Sequence, residues 1–291
     1  MSVLTSRSLP LPLTILAAVT AAAAVGELVA GPGAAYSAVF PPPWLALLGV
    51  AASAVSVIAH RHGQARPAEV AGWTAAVVLL GASGGVVLDL FRGFYAVTGI
   101  PAGEFAVVDV PGLVTRGAAL LTAFTAMLMA RRTRQAAAPG SAGNRPVGRG
   151  LLIVGLVATV PYPVLKLAFW LGGDDAGFPA AEIACFSLAA LWLILLSVGR
   201  VRVLPRWIVS AGGWFAALVL LSMGALMVFG LLSQAAGLAA AAVQFGSGAA
   251  SVMVFAVYGC WLLLGVVMAA ATVRYGERRD AEGSHAAGPI R

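Results

Sequence analysis

The sequence predicts an all-α integral membrane protein with eight transmembrane helices, arranged as two parallel four-helix repeats. Three observations predict it: an apolar composition, eight long apolar runs, and arginines gathered in alternate loops. Of the 291 residues, 60% are hydrophobic and 10% charged, with a mean hydropathy of +0.95. Soluble domains carry about 25% charged residues, so this chain lacks the polar surface to cover a globule in water. Helices satisfy their backbone hydrogen bonds internally, so lipid can surround them.

The runs cover residues 9–31, 44–60, 70–91, 111–130, 150–171, 181–199, 207–232 and 249–273. Most reach the roughly 20 residues a helix needs to cross the hydrocarbon core. The first is read as a retained helix rather than a cleaved signal peptide, because it is long and carries Glu27 near its end. The organisation expected is a first half over 1–130, a flexible cytoplasmic linker over 131–149, a second half over 150–276 and a disordered cytoplasmic tail over 277–291.

The formal charge of +7 comes from 17 Arg and one Lys against 11 acids. In a soluble chain this balance suggests nucleic acid; here it reports topology, and no nucleic-acid partner is expected. Arg7, Arg61 and Arg66, the group from Arg131 to Arg149, the group from Arg200 to Arg206, and the group from Arg274 to Arg291 all fall on one side of the alternation. Only Arg92 and Arg116 fall on the other. Positive loops stay in the cytoplasm, so both termini are assigned there, in the plasma membrane. Trp44, Trp73, Trp170, Trp207 and Tyr275 lie near run ends, where amphipathic rings favour the interface.

The repeat rests on Trp73-Thr-Ala-Ala-Val-Val-Leu-Leu and Trp214-Phe-Ala-Ala-Leu-Val-Leu-Leu, identical at six of eight positions. Each opens the third run of its half, after Pro67 and Pro205. Transporters are often built from such repeats, with sites at the repeat interface.

The side opposite the arginine-rich loops holds Glu27, Asp89, Glu104, Asp109, Asp174, Asp175 and Glu182 with Arg92, Arg116 and Lys166. Charge is costly in a membrane, so each needs a reason. Asp89 and Arg92, three apart on one helix, are expected to neutralise each other. Asp109 and Glu182 suit helix starts, and Arg116 suits snorkelling to headgroups. Lys166, the one lysine, follows Pro161 and Pro163, which remove backbone donors and break the helix. Tyr162 and Trp170 stand one turn to either side of it. The candidate ligand-binding set is therefore Lys166, Glu27, Asp89, Tyr162, Arg116 and Trp170: Lys166 for an anionic group, Arg116 as a second cation, Tyr162 to orient the ligand, and Glu27 and Asp89 to balance charge. In the repeat, Glu27 and Lys166 occupy matched places, where opposite charges would pair.

The stretch from Pro161 through Tyr162, Leu165, Lys166 and Trp170 to Gly172-Gly173 resembles a segment of uncharacterised multi-pass membrane proteins of actinobacteria. Pro163 departs from that pattern. The resemblance implies the segment's location and importance, and no activity.

Enzyme constellations are not seen. Gly81-Ala82-Ser83-Gly84-Gly85 fits G-x-S-x-G, but it is placed mid-helix with no strand before it and no histidine near it; Gly81 and Gly85 read better as a helix-packing pair. His60-Arg61-His62 reads as a solvated loop, and Cys185 and Cys260 as small apolar residues. No metal or cofactor is expected. The function expected is small-solute binding or transport through an outward-facing polar pocket between the halves. The alternative is a structural or interaction subunit of a membrane complex.

Overall fold

A computed structural model describes residues 10–137, 148–173, 177–198, 204–237 and 248–286. Among the described residues all regular structure is helical: α1 (Pro10–Ala30), α2 (Pro43–Arg61), α3 (Ala65–Ala82), α4 (Val86–Thr98), α5 (Val110–Ala137), α6 (Arg149–Ala158), α7 (Pro161–Leu171), α8 (Ala180–Val198), α9 (Arg206–Ala235) and α10 (Gly248–Ala286). Short 3-10 turns lie at Ala35–Val39 and Gly103–Ala106. Seven stretches, counting α6–α7 as one, are long and apolar enough to cross a membrane. Helices α3 and α4 pass the same test only as a pair, bent by 41°. The protein is a polytopic all-α membrane protein.

The third run is thus not one helix. Its break is the Gly81–Gly85 segment, expected mid-helix. Gly85 takes φ +97°, which a side chain would strain. A β-carbon at Gly84 would come within 2.9 Å of the Leu226 backbone, and one at Gly81 within 3.1 Å of the Phe229 ring. The packing role expected of Gly81 holds, with α9 as its neighbour. The α6–α7 break falls where Pro161 and Pro163 predict it, with Val160 N–H turning back to the Val157 carbonyl.

The chain divides into two compact units, Met1–Ala142 with Ala225–Gly246 and Gly143–Gly224 with Ser247–Arg291. In the first, small residues let helices approach. A β-carbon at Gly72 would meet the Ala130 β-carbon at 2.9 Å and the Ser56 hydroxyl at 3.1 Å, joining α2, α3 and α5. The Thr20 and Thr122 hydroxyls bond each other at 2.8 Å between α1 and α5. One end of this unit joins Ser56 to the Ala68 carbonyl and Glu69 to Arg134 at 3.8 Å. The opposite end holds the polar cluster described below.

In the second unit Leu193, Leu196, Val209, Leu264, Val267 and Met268 form a closed core. Tyr275 is fully buried within it. Gly224 and Gly265 bring α9 and α10 together; β-carbons there would meet Leu262 and Leu221 at 2.6 and 2.8 Å. Arg278 of α10 donates to the carbonyls of Leu196 and Ser197, groups that the end of α8 leaves unpaired.

Two boundaries differ from the sequence reading. Residues 131–137 of the expected linker continue α5, because its polar end docks on α2 and α3 through Thr133 with His60 and Arg134 with Glu69. Residues 138–147 lie outside the described residues. Helix α10 runs to Ala286, where a tail was expected from 277; residues 287–291 lie outside the description.

Replacing Gly72 by leucine is expected to cost about 1–3 kcal/mol through overpacking. Gly93→Ala, with open space around it, is expected to stay within about 0.5 kcal/mol of the parent. Unfolding midpoints of the two variants in detergent check this.

Candidate functional site

Asp109 is the N-cap of α5. Its Oδ1 accepts the Gly112 N–H at 3.1 Å and, from the α1–α2 loop, the Gly33 N–H at 3.0 Å. Its Oδ2 accepts from the Ser37 hydroxyl and from Arg116 at 3.1 Å. Both glycines are required for space: a β-carbon at Gly33 would lie 2.8 Å from Asp109 Oδ1, and one at Gly112 would enter the Asp109 and Arg116 side chains. Burial pushes the Asp109 carboxyl up. The Ser37 hydroxyl, the Gly112 N–H, Arg116 and the Gly33 N–H outweigh it and hold the group below the usual carboxylate range.

Arg116, two turns into α5, donates from Nε to Asp89 Oδ2 at 2.7 Å and from its other branch to Asp109, with the guanidinium 4.8 Å from the Phe40 ring centroid. Asp89 Oδ1 accepts from the Tyr36 hydroxyl at 2.8 Å, and the same phenolic oxygen accepts the Asp109 N–H at 2.8 Å. The circuit Asp89–Arg116–Asp109–Tyr36 therefore closes on itself. Burial and the adjacent Asp89 push the Tyr36 phenol up, against the pull of the Asp109 N–H, so it remains a donor. Asp89 and Asp109 are 0% exposed and Arg116 2%. Arg116 is thus sealed, not snorkelling.

Arg92 does not pair with Asp89. Its guanidinium lies between the Tyr36 and Phe105 rings, at 3.8 and 4.5 Å, and points toward the carbonyls of Glu104, Phe105 and Val107. Asp89 turns inward to Arg116, and Arg92 staples the α4–α5 loop over the cluster. Glu27, 7% exposed, lies near Thr115 and feels the charge of Arg116.

The other candidates belong to the second unit. Lys166 is half-buried on α7, its amine 5.9 Å from the Tyr162 ring centroid. Among the described residues of its own unit no carboxylate stands within 4.0 Å of it. Tyr162 joins Phe186, Tyr258 and Trp261 in an aromatic cluster with centroid spacings of 4.8–6.2 Å. Trp170, 39% exposed, turns its edge to Phe178.

Of the six candidates, Glu27, Asp89 and Arg116 belong to one unit and Tyr162, Lys166 and Trp170 to the other. Sequence reasoning missed Tyr36, Ser37 and Gly33. The available signal was a tyrosine and a serine beside glycines and prolines in a loop on the side that holds the acids. Asp174 and Asp175 lie outside the described residues. Among those residues no three His, Cys, Asp or Glu gather to hold a metal.

No family model matches the chain, and no curated protein or solved structure matches it.

Arg116→Leu leaves two carboxylates buried without their counter-charge and is expected to cost about 3–5 kcal/mol, read from unfolding in nanodiscs. Asp109 supplies a pH test. A depressed carboxyl stabilises fully above its unfolded value of about 3.9 and loses that contribution as pH falls through the lower folded value. Acidification below about pH 4 is expected to lower the wild-type midpoint more than that of Asp109→Asn; parallel curves for the two proteins would refute the assignment.

Proposed function

We propose that this is an eight-span plasma-membrane protein that binds a small anionic solute, with Lys166 as the anion-contacting group. Elimination among the bases carries the reading. Of the three on the acid-rich side, Arg116 is consumed by Asp89 and Asp109, and Arg92 by loop carbonyls and two rings. Lys166 alone of these has neither a carboxylate nor a backbone carbonyl as partner among the described residues of its own unit, on a proline-broken helix of the kind transporters use at binding sites. The contact set proposed is Lys166 with Tyr162 and Trp170; Glu27, Asp89 and Arg116 support the fold of their own unit. Transport would require this site to open to both faces of the membrane.

Taking the bent α3–α4 pair as one span gives eight, with both termini cytoplasmic by the arginine alternation. A duplication into two parallel repeats is supported by Gly72 and Gly213. Each immediately precedes its tryptophan and leaves room for a neighbouring helix, at Ala130 of α5 and at Thr272 of α10.

The second reading, a structural or interaction subunit, is favoured by the closed state of the Asp89–Arg116–Asp109 circuit, in which every carboxylate oxygen accepts from a protein donor.

A thermal-shift screen of the full chain in nanodiscs against small organic anions and inorganic phosphate tests the first reading. At least one anion is expected to raise the midpoint of wild type and of Lys166→Arg, and to leave Lys166→Met unmoved. Equal shifts in all three proteins, or none, favour the subunit. A fluorescent protein fused after Arg291 is expected to fold and fluoresce in the cytoplasm; a dark fusion that is expressed at full length would reverse the topology.

A further inference from the structure

We infer that the Lys166 site is built for an organic monoanion with an aromatic or similarly flat apolar body, rather than for an inorganic anion. The inference rests on Lys166 being the anion contact.

Beside Lys166 stands an aromatic face. One turn back on α7, Tyr162 presents its ring to the ammonium. That ring is the centre of the cluster: Trp261 meets it edge-on at 4.8 Å, Phe186 lies at 5.6 Å and Tyr258 at 6.2 Å. The Trp261 indole N–H is buried without a hydrogen-bond acceptor, a group that burial penalises unless something accepts from it. An inorganic anion held at Lys166 would lose its hydration against this wall and gain nothing from it. An anion with a ring recovers that loss by edge or face contact, as aromatic pairs do.

Charge argues for a single negative group: Lys166 supplies one positive charge, and Arg92 and Arg116, the other bases assigned to this side, are held by partners in the first unit.

The test is equilibrium dialysis of the full chain, in nanodiscs of zwitterionic lipid, against benzoate, acetate and inorganic phosphate. Benzoate is expected to bind about tenfold more tightly than acetate, the worth of one good ring contact, and phosphate more weakly than acetate. Tyr162→Leu is expected to erase the preference for benzoate and to leave acetate unchanged; Lys166→Met is expected to remove both, and Lys166→Arg to restore both. Equal, Lys166-dependent binding of all three anions would overturn the aromatic selectivity and keep the anion site. Binding of none, or binding that survives Lys166→Met, would remove the anion site and this inference with it.

Discussion

The first unit depends on one guanidinium shared by two buried carboxylates. Arg116 reaches Asp89 on α4 and Asp109 at the head of α5, and those two acids in turn fix the α1–α2 loop through Tyr36, Ser37 and the Gly33 N–H. A charge in a low-dielectric interior is tolerated only when its partners are complete. Here each carboxylate oxygen has a donor, so the network specifies one arrangement of three separate chain segments. Replacing any one partner exposes the desolvation cost of the rest.

The two breaks in otherwise long helices have different causes. At Ser83–Gly85 the chain bends because Gly85 adopts a left-handed backbone and Gly84 gives way to the backbone of α9. The bend lets α4 lean its Asp89 toward Arg116. At Thr159–Val160 it is the missing N–H groups of Pro161 and Pro163 that end α6, and α7 begins on a proline at its first position. The first break serves a closed polar circuit; the second carries the one lysine and Tyr162 of the aromatic cluster.

Much of the architecture was legible in the sequence because hydrophobic length is a local property. Helices α1, α2, α5, α8 and α9 begin within a residue of the apolar runs that predict them. The bend at Gly81–Gly85 was not legible, since glycines in an apolar run read equally well as packing contacts or as a hinge. At the polar site, residue types were legible and partners were not. Asp89 and Arg92, three apart on a helix, satisfy a local pairing rule, yet Asp89 turns to Arg116, 27 residues on. Local spacing says nothing about a competitor that tertiary structure brings closer. Tyr36 was overlooked for the same reason: its partners lie 53 and 73 residues downstream. For Asp109 the helix-start signal was correct, because capping is decided within four residues.

The 27-residue gap between Asp89 and Arg116 also sets a schedule for biogenesis. Helix α4 leaves the ribosome with a carboxylate, Asp89, before its partner Arg116 has been made. At an elongation rate of about 5–20 residues per second, Arg116 follows roughly one to five seconds later. Until then the circuit cannot close, and the loop carrying Tyr36 and Ser37 has only part of the network that fixes it.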